Sequence, residues 1–339
     1  MPLRAEAALC AAVLAVAFAG GAGAEPIALD ATRVALDTES PETASVGRLA
    51  YRGGIAVTST DKRLGGLSGL LVTDGGRRLV AVSDAGRWLT ARLVYGSDGH
   101  LEGIADGEVG PLIDPRGAPV GGSRRGDAEA IARLADGVAV AFEGVPRIWR
   151  YPPAAPPFAR APIAIAPPVA LRRGASNRGL EALTALGDGR LFALAEDRPA
   201  GPGLGMGWVS SGPPRHDWSA VSWKREGLFV PTGAATLPDG DVVVLERRFT
   251  WIGGLASRIV RVPAARIVAG AALEGEELAR LEGTLTRENF EGIDAVSGPG
   301  GETRIYLVSD DNFHALQRTL LLCFALLPRG AAGVIPTGR

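Results

Sequence analysis

Cysteine is almost missing from these 339 residues: there are two, Cys10 and Cys323. Histidine is nearly as scarce, with His100, His216 and His314 far apart. The first shortage leaves no disulfide framework, and the second leaves no His/Cys cluster for zinc. An excess of either charge is also lacking, with 36 Lys+Arg against 37 Asp+Glu and a net charge of −1. That balance argues against a nucleic-acid binder with a basic face and against a polybasic membrane-surface protein. No apolar run reaches 18 residues, so no membrane-spanning helix is expected. Familiar catalytic motifs are absent too: there is no GxSxG elbow, no Walker A loop and no GxGxxG opening a helix. Gly65-Gly66-Leu67-Ser68-Gly69 offers Ser68 as a nucleophile, but only His314 falls near a comparable position, which makes a poor Ser–His pair. Glycine and proline are abundant instead, 47 and 24 residues, beside 46% hydrophobic and 22% charged residues. Such a chain can bury a core and turns often, so it reads as all-β.

The first 24 residues read as a secretory signal peptide. Arg4 gives a basic start, Ala7–Ala19 is a 13-residue apolar run, and Ala22-Gly23-Ala24 offers small residues for cleavage before Glu25. Export to the periplasm or medium is therefore expected, with Cys323 as the one cysteine of the mature chain. It sits in Leu320–Leu326 as a small core residue. An exported chain without disulfides must rest on core burial or a bound metal. Residues 25–45 then form an N-terminal extension, 46–327 the domain, and 328–339 a tail.

One unit recurs through the domain: a short apolar strand, a Gly/Asp turn, a second apolar strand, then an acid or Ser. Gly69–Val72 turns through Asp74-Gly75-Gly76 into Leu79–Asp84, and Glu129–Ala132 turns through Asp136-Gly137 into Val138–Glu143. Glu181–Leu183 turns through Asp188-Gly189 into Leu191–Asp197, and Ala234–Leu237 through Pro238-Asp239-Gly240 into Val242–Glu246. Glu291–Ile293 turns through Gly298-Pro299-Gly300-Gly301 into Ile305–Asp311. Asp-Gly between apolar runs is a strong hairpin signal. The units begin near 68, 129, 181, 235 and 291, at spacings of 61, 52, 54 and 56 residues. A period of about 50 residues with four short strands per unit is the signature of a β-propeller. Third strands are expected at Trp88–Tyr95, Arg147–Tyr151, Arg258–Val262 and Thr319–Leu326, with a less marked one around Trp208 or Trp218–Trp223. Fourth strands are expected near 101–113, 160–171, 225–230 and 278–285. The last unit runs out of chain, and Arg48–Val57 can supply its missing strand, closing the ring without an exposed edge. Five blades are favoured; six is the alternative if a degenerate blade hides in 97–125 or 199–230.

The hairpins collect acids at one end. In a tight hairpin, residues equidistant from the turn face each other. That arithmetic opposes Glu181 to Glu196, Glu129 to Glu143, Ser68 to Ser83 and Glu291 to Ser309, all at one mouth of the channel. Asp84, Glu129, Glu143, Glu181, Glu196, Asp197, Glu246, Glu291, Asp310 and Asp311 are set there against Arg87, Arg178, Arg247 and Arg248. Opposed carboxylates repel, so a cation, a shared proton or an inserted arginine must compensate. Oxygen donors favour Ca2+ or Mg2+. Taken singly, each acid could as well cap a strand or pair with an arginine; convergence on one mouth is what favours function.

Gly65–Leu70, Val82–Arg87, Asn177–Leu183, Leu245–Phe249, Asn289–Ile293 and Ser309–Phe313 resemble the exported bacterial proteins of the phytase-like ("esterase-like activity of phytase") family over roughly 46–327. The resemblance implies hydrolysis of phosphate or other esters. Calcium serves the β-propeller phytases, whose motifs are not clearly present, so no catalytic residue is carried over from them. The resulting expectation is an exported propeller hydrolase acting on a small-molecule ester or phosphoester. Glu181, Glu196, Glu291 and Asp310 would hold a divalent cation, with Ca2+ the first choice. Arg87, Arg178, Arg247 and Arg248 would receive substrate anions. Glu129 or Glu143 would be the general base toward a water activated by the cation. The alternatives are a non-catalytic binding propeller that captures a cationic or metal-bound ligand, and a lactonase-like hydrolase. No nucleic-acid partner and no membrane insertion of the mature chain are expected.

Overall fold

Strands such as Val242–Leu245 and Leu191–Ala195 are apolar at every position, the pattern of a sheet buried on both faces. The computed structural model, which describes residues 23–121, 125–172 and 179–330, shows why. Five four-stranded antiparallel meanders stand side by side around one axis, and alternate residues of each strand pack against alternate neighbours. We number these blades 1 to 5 in chain order.

Blade 1 comprises Leu67–Thr73, Arg78–Ser83, Arg87–Tyr95 and Leu101–Pro111. Blade 2 comprises Ala128–Leu134, Gly137–Phe142, Arg147–Tyr151 and Ile163–Ile165. Blade 3 comprises Leu180–Ala185, Leu191–Gly201, Leu204–Ser210 and Trp218–Lys224. Blade 4 comprises Val230–Thr236, Val242–Thr250, Gly254–Val262 and Glu276–Leu281. Blade 5 comprises Phe290–Ser297, Thr303–Ser309 and Thr319–Leu326, completed by Leu49–Thr58. The expected closure is therefore present: Thr319 pairs with Val57 and Leu326 with Leu49. The two stretches that could have hidden a further blade instead supply strands of blades 1 and 3. The fourth strand of blade 3 lies at Trp218–Lys224, not at 225–230, because Val230 already opens blade 4.

The core consists of layers between blades. Leu191, Ala193 and Ala195 pack with Ala139 and Ala141 of blade 2, whereas Phe192 and Leu194 pack with Val242 and Val244 of blade 4. The remaining interfaces repeat this division, and buried Cys323 joins the layer between blades 5 and 1. The alternation of a pleated strand thus becomes adhesion to two neighbours.

The first strands line the axis in the order blade 1, 2, 3, 4, 5 and back to 1. They approach closely where small residues permit it. A Cβ on Gly233 would lie 2.6 Å from the Glu291 carbonyl oxygen, and one on Gly292 would lie 3.2 Å from the Leu70 nitrogen. Residues 25–45 are not loose: Glu25–Ile27 pairs with the outer strand of blade 1, and Asp30–Arg33 with Leu49–Thr58. Among the described residues, no helix is long and apolar enough to cross a membrane. The expected signal peptide, apart from its last two residues, lies outside the described residues, as do Arg178 and 331–339 of the tail.

Candidate functional site: two tiers of acids at one mouth

The expected partners are neighbours, as Glu129 and Glu143 are, but they are not registered cross-strand pairs, and the reason recurs in every blade. Each first strand carries a β-bulge at its mouth end. Leu67 pairs with Ser83 and Gly69 with Val82, which leaves Ser68 as the extra residue. The same shift isolates Glu129 between Ala128 and Ala130, and Glu181 between Leu180 and Ala182. Thr232 lies between Pro231 and Gly233 in this way, and Glu291 between Phe290 and Gly292. A bulge leaves one residue unpaired and re-aims its side chain. Ser68, Glu129, Glu181 and Glu291 line one small cavity on the axis.

A second tier follows from the same register. The residues paired just before each bulge are Ser83, Phe142, Ala195, Glu246 and Ser309. The next residue in each blade is therefore equivalent: Asp84, Glu143, Glu196, Arg247 and Asp310. In three blades its N–H donates to the residue two before the bulge: Asp84 to the Gly66 carbonyl at 3.0 Å, Glu143 to Asp127 at 2.8 Å and Asp310 to Asn289 at 2.9 Å. The two tiers together present seven carboxyl groups and one arginine.

Crowding and burial push these carboxyls toward their protonated forms. Burial, then the charges of Glu181 and Glu291, pushes the Glu129 carboxyl well above its usual range. Burial does the same to Glu181, reinforced by Glu143, Glu196 and Glu291 and opposed by Arg247. Burial raises Asp310 to about 8, with Glu291 adding to it, and raises Asp84 to about 6, with Asp127 adding to it. Burial also raises Glu143 and Glu291. The carboxyl contacts run between blades and along one strand as well as across the hairpin. Glu143 of blade 2 lies within hydrogen-bonding reach of Glu181 of blade 3, and Glu129 within reach of Asp127.

Two groups compensate the charge differently. In blade 4, Arg247 reaches both neighbours: Nη2 lies 2.7 Å from Glu196 Oε1 and Nη1 lies 3.1 Å from Glu291 Oε1. Asn289 completes this group, accepting from Arg247 and donating to Glu291 at 2.8 Å. In blade 2, Asp127, Glu129 and Glu143 each bring a carboxylate oxygen within 4.8 Å of the others. No basic side chain pairs with these three among the described residues. The Asp127 Oδ2 accepts the Gly144 N–H and the Glu143 Oε1 accepts the Gly179 N–H, both at 3.0 Å, so the donor set is held by backbone.

Not every expected site residue is in this arrangement. Glu181, Glu196, Glu291 and Asp310 do share the mouth, but Glu196 and Glu291 are engaged by Arg247. Arg248 alternates to the other face, bonded to Glu282 at 2.9 Å and stacked on Phe229. Arg87 acts on Asp61, which hydrogen bonds from the Arg63 side chain and backbone already hold down to about 2. Glu246, counted with the mouth acids, is a core residue that accepts from Trp223 Nε1 at 2.8 Å and pairs with Arg258. Asp197 pairs with Arg225 at 3.1 Å, and Asp311 pins the Gly66 and Phe313 N–H groups. Asp127 went unnoticed in the sequence. Its signal was the Asp127-Ala128-Glu129 alternation, which puts two acids on one side of a strand.

A family model described as "Phytase-like: Esterase-like activity of phytase" matches residues 62–313. The chain belongs to this family. The match covers all five bulges and both tiers. No curated protein matches the chain. Among solved structures it is similar to the α-L-arabinofuranosidase of Podospora anserina, at 14% identity over 84% of this chain and 98% of that one, TM-score 0.49. It is also similar to the PQQ-bound aldose sugar dehydrogenase of Streptomyces coelicolor, at 16% identity over 88% and 99%, TM-score 0.39. The glutaminyl cyclase of Myxococcus xanthus aligns at 14% identity over 78% and 93%, TM-score 0.40. At these identities the likeness concerns fold, and none of these chemistries is transferred.

Proposed function

We propose that this chain is an exported hydrolase of small-molecule esters or phosphoesters, with a divalent cation bound at the acidic mouth. The observation that carries the proposal is the Asp127–Glu129–Glu143 group, three convergent carboxylates without a basic partner among the described residues. Family membership adds the reaction class, and the sequence of residues 1–24 adds export.

The donor set suits a hard cation. All three side chains offer oxygen, the separation lets one ion meet all of them, and the upward shift of the Glu129 carboxyl reflects crowding that a cation would relieve. Calcium is the first choice because it takes carboxylate oxygens in flexible geometry and does not require an octahedral set. A divalent cation held there would polarise an ester or phosphoryl oxygen and favour ionisation of a nearby water. The protein's own residues then divide the work. Asp127, Glu129 and Glu143 serve as ligands, so Glu129 and Glu143 leave the general-base role first considered for them. Glu181 reaches Glu143, and with a cation beside it its carboxyl would lose its proton and could then accept one from water. Arg247 keeps Glu196 and Glu291 fixed at the far side and lowers their demand for a second cation.

Elemental analysis of the purified mature chain, followed by a panel of carboxylic and phosphoric esters, tests this reading. The expected result is bound calcium and turnover that Asp127→Asn removes. Bound calcium without turnover on any ester would instead support the non-catalytic binding propeller.

A further inference from the structure

A second cavity, of about 540 Å3, opens beside the acid cluster and carries the opposite charge. Its lining includes Arg116, Arg125 and Arg147, with Trp149, Val145 and Asp114. It shares two chain segments with the acids. Arg125 stands two residues before Asp127, and Val145 two residues after Glu143. The charge of Asp127 is felt at Arg147.

None of the three arginines forms an ion pair with a described residue. Asp114, the acid in the lining, is committed to backbone: its Oδ1 accepts from Arg116 N at 2.8 Å and Ala118 N at 3.0 Å. Arg147 is the most constrained of the three. Its guanidinium carbon lies 3.9 Å from the Phe142 ring centroid and 4.6 Å from that of Trp149. It donates to the carbonyl oxygens of Val145 and Arg125, and no carboxylate meets it. Burial, with Arg125 adding to it, pushes its pKa down to about 10. The group therefore stays charged at neutral pH while poorly solvated, the state in which an anion is bound most strongly. Arg116 and Arg125 are exposed and free to close on a ligand. Around this cavity three arginines face one lining acid, Asp114, an excess of positive charge on a molecule whose net charge is −1.

We propose that the Arg116–Arg125–Arg147 cavity is an anion subsite that takes a phosphate group. Planar guanidinium forks match the oxygens of a tetrahedral oxyanion, and the apolar Trp149 and Val145 edges suit the carbon skeleton that carries it. Next to the carboxylate cluster, it would select substrates that carry a phosphate beside the scissile ester. This last role rests on the proposed hydrolase activity; anion binding itself does not.

The test is calorimetric titration of the metal-free, full-length mature protein with inorganic phosphate and, separately, acetate. The expected result is saturable phosphate binding that weakens roughly tenfold or more in Arg125→Gln, and again in Arg116→Gln/Arg125→Gln. These exposed positions should leave the melting temperature unchanged, and acetate should bind far more weakly. With calcium restored, the double variant should raise KM for a phosphate-bearing ester and leave a neutral ester unaffected. Phosphate binding that is absent, that acetate equals, or that survives the double substitution would overturn the subsite. Arginine-dependent phosphate binding without turnover of any ester would uphold the subsite and count against the hydrolase.

Discussion

Blades 2 and 4 are built on the same frame and carry opposite charge. Both have a hairpin, a bulge at the mouth and a residue that follows the second strand into the upper tier. Blade 2 fills these places with Glu129 and Glu143 and adds Asp127. Blade 4 fills them with Thr232 and Arg247. Thr232 uses its hydroxyl to bond the Phe290 carbonyl at 3.0 Å, and Arg247 satisfies acids of blades 3 and 5. One side of the mouth thus carries its own counter-charge, while on the proposed reading the other would recruit a cation. The architecture dictates where the side chains stand. The choice of residue at two positions decides which side is brace and which is site.

Removing the brace should produce the largest effect. Arg247→Ala leaves Glu196 and Glu291 facing each other on a partly buried surface. It should cost about 3–5 kcal/mol of stability, read from urea unfolding. A loss below about 1 kcal/mol would mean that the two acids protonate at little cost, and the contrast between the blades would shrink. Arg247→Lys should recover part of the loss, since one ammonium cannot serve both carboxylates in a fork.

Breaking the site should act through the cation alone. At a hundredfold excess of calcium over Kd, the unmodified protein should gain roughly 2.7 kcal/mol, and Asp127→Asn should gain much less. In chelator, the same substitution should be close to neutral, because the Asn oxygen can still accept the Gly144 N–H. Equal calcium gains in both proteins would remove Asp127 from the site. Glu181→Gln, beside these ligands, should raise the stability of the metal-free protein by about 0.5–2 kcal/mol, as relief of like-charge crowding does.

The most gradual effect is a slope, spread over several pH units. Asp310 has a folded pKa of about 8 against an unfolded value of about 3.9. Between those values the folded state keeps a proton that the unfolded state has lost. Stability of the metal-free protein should therefore fall as pH rises from about 4 to 8 and level off above. Asp310→Asn should flatten the upper part of that descent in thermal melts taken across this range. An unchanged slope would show that Asp310 is not among the crowded acids.

Much of this was legible in the residues because it is written in the period. Asp-Gly turns between apolar runs placed the hairpins, and the orphan strand read at Arg48–Val57, found at Leu49–Thr58, pointed to closure. The pairing across each hairpin was misread because a bulge leaves no mark in hydrophobic alternation. It does leave a polar residue followed by a small one, as in Ser68-Gly69, Glu129-Ala130, Glu181-Ala182, Thr232-Gly233 and Glu291-Gly292. The small residue is required because the neighbouring first strand passes against it. Glu246 was misassigned by one position: alternation sends it into the core and its neighbour Arg247 to the mouth. Partners between blades, such as Arg247 with Glu291, have no sequence signature, since they are set by the rotation from one blade to the next.

The central claim is that the uncompensated acids of blade 2 form a cation site. Calorimetric melts of the unmodified mature protein, with calcium and with chelator at pH 8, test it most directly. The account predicts a calcium-dependent rise in Tm that saturates and that Asp127→Asn removes. The same Tm in both conditions would contradict it.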